Sequence, residues 1–180
     1  MQKNTNTIQK NKSGLKGFQF IHTSRERGFS LVEILVASSI LTVSLLSVIV
    51  VAGQALSISH RSVNTYEAAA LLEEGAEVVR IQRDGAWTNI SGLTVGTTYY
   101  PKYNTGTNTW SLTTTSSDGV VGKYTRSVVL SAVTRDGSSN IASSGTTDSG
   151  TKLVTVTVSW VENTGATVSK SLQFYILNIF

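Results

Sequence analysis

The chain has 180 residues, enough for one modest domain with accessory segments, and only 14% of them are charged. Cysteine is absent, which excludes a disulfide framework, a thiolate metal site and a thiol nucleophile. The formal net charge of +4 does not describe a nucleic-acid surface, because phosphate binding needs cations clustered on the folded part. Residues 1–28 hold Lys3, Lys10, Lys12, Lys16, Arg25 and Arg27 against Glu26 alone. The other 152 residues carry nine basic and ten acidic side chains, so no direct nucleic-acid site is expected.

In chain order, residues 1–28 read as a basic leader without helical or strand periodicity. Residues 34–59 follow, 26 positions without a charge and rich in Leu, Ile and Val. A bilayer-spanning helix needs about 20 such residues, so the lipid bilayer is the expected surrounding of this segment. The run exceeds the roughly 7–15 apolar residues of a secretory signal. Arg25 and Arg27 precede it, and the positive-inside bias then places the leader in the cytoplasm and the rest of the chain outside.

Residues 61–84 have helical periodicity. Leu72, Ala76 and Val79 fall on one face, widened by Ala68, Leu71, Gly75 and Val78. Glu73, Glu77, Arg80 and Asp84 lie opposite, with Glu77–Arg80 and Arg80–Asp84 spaced for weak ion pairs. No proline separates this helix from the apolar run, so the two are expected to be one helix.

Residues 87–180 read as strands. Val154, Val156, Val158 and Trp160 alternate with Thr155, Thr157 and Ser159. A turn at 163–166 leads into a return strand with Val168, Lys170, Leu172, Phe174 and Ile176 on one face. Val128, Leu130 and Ala132 mark a strand over 124–133. Residues 97–103 and 107–115 look like a hairpin, with Pro101 marking an edge strand. Residues 134–150 read as a long exposed loop. The expected fold class is α+β, with a long stalk helix whose C-terminal half packs on a small antiparallel sheet. The expected segments are a leader (1–28), a membrane half of the helix (29–59), an amphipathic half (60–86) and a β-rich head (87–180).

The junction reads R-E-R-G-F-S-L-V-E-I-L-V from Arg25 to Val36. Glu33 is the sole charge in the first 31 residues after Gly28. A carboxylate at the membrane end of an apolar helix costs up to about 2.5–3.5 kcal/mol and normally has a partner. Lys16-Gly17-Phe18 repeats the basic–Gly–aromatic pattern, but His22 stands at its fifth position and a basic stretch follows. Only the Gly28-Phe29 pair is followed by both a carboxylate at the fifth position and a long uncharged run.

At these residues the chain resembles the type IV prepilin family, which includes the pseudopilins of type II secretion and DNA-uptake machines. The resemblance implies cleavage between Gly28 and Phe29 by a prepilin peptidase, N-methylation of Phe29, and an assembly role for Glu33. It also implies other pilins or pseudopilins and an inner-membrane assembly platform as partners, and a filament outside the membrane as destination. Residues 71–87, L-L-E-E-G-A-E-V-V-R-I-Q-R-D-G-A-W, are similar to minor prepilins with an E-G-x-E-x-x-R segment. Val50 stands where many major pilins have proline, their C-terminal disulfide pair is missing, and the leader is long. These departures favour a minor pilin or pseudopilin. The alternative is a single-pass membrane-anchored surface-binding module that never enters a filament.

Other signals are weaker. Ser38 and Thr42 would let neighbouring helices approach closely. Asp118, Asp136, Asn140 and Asp148 carry oxygens of the kind calcium takes, but at no hard-cation spacing. Trp87, Trp110 and Trp160 read as packing residues, and Asn89-Ile90-Ser91 as a chance glycosylation match. No catalytic set, cofactor site or metal site is assigned, and the chain is not expected to be an enzyme.

Overall fold

The structure, a computed structural model, describes residues 28–179. The expected leader, apart from Gly28, lies outside the described residues, and so do Arg25, Arg27 and the second Gly-Phe pair. The chain forms two compact units, Met1–Val50 and Val51–Phe180.

In the first unit the described residues after Ser30 are helical, and every one from Gly28 to Val50 is exposed. They open helix α1, Leu31–Gly85, which is long and apolar enough to cross a membrane. The proline-free junction is continuous helix, as the sequence implied. Its hydroxyls turn inward on the helix: Ser38 donates to the Leu35 carbonyl at 3.0 Å, Thr42 to Ser38 at 2.8 Å and Ser47 to Val43 at 2.8 Å. That bonding hides polar groups from an apolar surrounding.

In the second unit α1 continues and becomes one-sided. Ala68, Leu72, Gly75, Ala76, Val78 and Val79 are buried, the face read from the 3.6-residue period. The short helix α2 (Thr88–Ser91) adds Ile90 to the core where only strand was expected. The sheet has seven antiparallel strands: β1 (Thr98–Asn104), β2 (Thr109–Thr113), β3 (Val120–Val121), β4 (Tyr124–Arg135), β5 (Ile141–Ala142), β6 (Thr146–Val161) and β7 (Thr167–Leu177). Its main order is β2-β1-β4-β6-β7, with β3 and β5 also on β4. The core lies between α1 and the inner face carrying Val128, Leu130, Val154, Val156, Val158 and Trp160. At about 25 cal/mol per Å² of apolar surface, these valines and leucines are the main source of the head's stability.

Four local expectations change. Ala132 is exposed and Val133 is buried, because the β4–β6 register shifts between them and flips the alternation. Pro101 sits on an interior strand rather than an edge. The pairing of β1 with β4 covers only Thr98 and Tyr99, and from Tyr100 onward it continues with β2, so the missing N–H breaks no β4 ladder. Much of the 134–150 stretch is ordered hairpin instead of open loop. There Arg135 Nε lies 2.7 Å from Asp148, and the Asp136 carboxylate accepts from the Ser138 and Asn140 amides at 2.9 Å. Finally, Arg80 pairs with Glu77 at 3.3 Å, whereas Asp84 pairs with Arg83 at 2.7 Å. Arg80 instead lies over the Phe174 ring, which draws it away from Asp84.

Candidate processing and assembly site

Gly28, Phe29 and Ser30 precede the helix, and the Ile34 amide donates to the Ser30 carbonyl at 3.2 Å to close its first turn. A β-carbon built on Gly28 would meet nothing within 4 Å. The glycine is therefore not demanded by packing within the described residues. Phe29 is 77% exposed, an uncommon state for a large aromatic side chain in water. Glu33 lies in the first helical turn, where the unpaired amides of the helix start favour a negative charge. Gly28 and Phe29 thus precede the helix and Glu33 lies in its first turn, and no described side chain before Val51 is covered.

The acidic residues of the head are engaged locally. Asp118 accepts from Thr113 at 2.7 Å and faces Lys102 at 3.2 Å, and the Thr113 bond holds its carboxyl below the usual range. Amides of Asn140 and Ser138 likewise hold the Asp136 carboxyl low. Asp148 is held at about 2, chiefly by the Arg135 hydrogen bond and then by Thr151. Among the described residues no group of three His, Cys, Asp or Glu side chains stands close enough for a metal. Trp160 is in the core, edge-on to Tyr124 at 5.6 Å, while Trp110 stacks near Tyr103 at 5.1 Å. The three tryptophans serve packing.

One feature was missed in the sequence. Arg126 is 2% exposed on the inner face of β4, with Nη1 2.8 Å from the Glu74 carboxylate and its guanidinium over Trp110. The pair is close but not aligned for a hydrogen bond, and Nε has no partner among the described residues. The signal was present: Arg126 shares the period-two face of Tyr124, Val128 and Leu130. Beside it, a β-carbon on Gly75 would meet Val156 Cγ1 at 2.7 Å and Arg126 Cδ at 3.1 Å. The E-G-A-E segment is therefore explained by packing: Glu74 faces the buried arginine, Gly75 admits the sheet, and Glu77 stays on the surface.

A family model described as the prokaryotic N-terminal methylation motif matches residues 23–49. No curated protein and no solved structure matches the chain. The motif implies processing by a prepilin peptidase and pilin-type assembly in general, and points to a structural protein rather than a known enzyme. The apolar helix and the motif together fit a membrane-anchored pilin. The chain carries the type IV prepilin-like signal motif at the head of a long apolar helix, on an α+β fold with an antiparallel sheet.

Proposed function

We propose that the chain is a minor pilin or pseudopilin: a precursor cut between Gly28 and Phe29, methylated on the Phe29 amine, and drawn from the bilayer into a filament. The observation that carries this reading is the motif match over 23–49, laid on a helix whose apolar side chains are all exposed from Leu31 to Val63. Such a surface is costly in water and needs lipid before assembly and neighbouring helices after it. On this reading the leader stays in the cytoplasm and the head lies outside. The partners are a prepilin peptidase, other pilins through the N-terminal helix, and an inner-membrane assembly platform. The filament would serve pilus biogenesis, secretion or DNA uptake.

Glu33 then acts in assembly rather than in insertion or cleavage. Inside a filament its carboxylate needs a cation, and the Phe29 amine of a neighbouring subunit supplies one at a fixed axial stagger. Removing one member of a buried pair costs about 3–5 kcal/mol, because the other charge is stranded. Glu33→Val should be inserted and cut like wild type yet be lost from sheared filaments, and Glu33→Asp should retain part of its incorporation. Equal incorporation of Glu33→Val and wild type would end the pairing scheme.

A further inference from the structure

Within the second unit, two turns of the head lie against the part of α1 where the charge-free run ends. The β6–β7 turn brings Asn163 and Thr164 beside Ser57 and His60 around a small cleft, and Glu162 lies 3.7 Å from Arg61. The β3–β4 turn reaches the next helical turn, where Lys123 Nζ donates to Asn64 at 2.5 Å and the Tyr124 hydroxyl to Glu67 at 2.6 Å. An open apolar groove between Tyr66, Leu71 and Val121 runs beside it. Val120 is 54% exposed, Val121 40% and Tyr66 78%.

We propose that this lower rim of the head docks on the phospholipid headgroup layer of the bilayer that α1 crosses. The inference rests on the membrane-anchored reading of the helix. About 20 residues fill the hydrocarbon, so counting from Ile34 the last turns of the charge-free run, 54–59, fall at headgroup depth. Ser57 is in that stretch, and it lines the same cleft as Asn163 and Thr164 of the β6–β7 turn. The rim also has the composition of an interfacial surface: a tyrosine and valines beside a lysine, apolar bodies with polar ends. Both acids of the rim are engaged by their neighbours, Glu162 with Arg61 and Glu67 with Tyr124, while Lys123 meets a neutral amide. The rim's two acids are thus held by neighbours, and its lysine ammonium is left without a carboxylate partner among the contacts around it.

The absence of cysteine allows single labels on the full chain. Environment-sensitive fluorophores would be placed on Thr164→Cys, Val121→Cys, Ile40→Cys and Ser138→Cys, each reconstituted at one copy per lipid nanodisc. Ser138 lies beyond Arg135, the far end of β4, which is itself about 36 Å from Tyr124 along a strand rising roughly 3.3 Å per residue. Nitroxide on the headgroups should quench Thr164 and Val121 strongly and leave Ser138 bright, while nitroxide on the acyl chains should quench Ile40. If Ile40 is quenched and both rim labels match Ser138, the docking proposal is wrong and the membrane reading stands. An unquenched Ile40 overturns both. Rim labels that are bright at one copy per disc, and shielded from iodide only at many copies, make a second subunit the occupant and overturn the proposal.

Discussion

The residues 34–59 and 68–79 of α1 are both rich in aliphatic side chains, yet their surroundings are opposite. In the first stretch apolar side chains point in every direction and all are exposed; in the second Ala68, Leu72, Ala76, Val78 and Val79 form one buried stripe. The difference teaches that apolar content does not decide what a helix is for. Its angular distribution does: a stripe calls for one packed face, and an unbroken apolar circumference calls for an apolar surrounding.

The strongest way to break this comparison is a carboxylate in each stretch. Val79→Asp would put an unpaired charge in the core and should destabilise the head by about 4 kcal/mol or more. Val43→Asp should leave the head's folded emission unchanged, since Trp87, Trp110 and Trp160 lie in the head, and should instead deplete the membrane fraction, at about 2.5–3.5 kcal/mol of insertion cost. Tryptophan emission and membrane fractionation of both variants separate the two effects.

Glycine gives a smaller, matched contrast. At Gly75 an added methyl meets Val156 and Arg126, so Gly75→Ala should cost the head about 1–3 kcal/mol. Gly53 has nothing within 4 Å of such a methyl, so Gly53→Ala should change the head's unfolding by less than about 0.5 kcal/mol. Thermal unfolding of the detergent-held full chains reads both. Equal losses at the two sites would mean that Gly75 does not mark a close approach.

Acid sharpens the contrast further, because 29–59 contains a single titratable side chain, Glu33, while the head holds several engaged carboxylates. Asp148 is depressed to about 2, so its contribution is present above its unfolded value near 3.9 and lost as pH falls through 2. Asp148→Asn should lower the head's melting temperature at neutral pH and flatten its decline between about pH 4 and 2. Parallel declines in wild type and variant would show that the Arg135–Asp148 contact is not what acid removes.

Much of this was legible in the residues. The uncharged run, the stripe from Ala68 to Val79 and the Val154–Trp160 alternation each repeat one period over several turns or pairs, and such repetition survives local irregularity. The signal motif was legible because a small residue, an aromatic, a carboxylate and an apolar run stand in fixed order. The exceptions depended on distant partners. The shift that exposes Ala132 lies where β6 leaves residues 149–151 unpaired with β4, and there the Gly150 amide donates to Asp148 at 2.8 Å. The burial of Arg126 depends on Glu74, fifty-two positions away, and the place of Pro101 on where β1 leaves β4. Local patterns do not carry such pairings.

The central claim is that Gly28–Phe29 is a processing junction, and the mature N-terminus tests it most directly. Intact mass and N-terminal fragment spectra of the full chain co-expressed with a prepilin peptidase should show a product beginning at Phe29, lacking residues 1–28 and carrying one methyl group. Persistence of the whole precursor under those conditions, or a mature chain beginning at any other residue, would contradict the account.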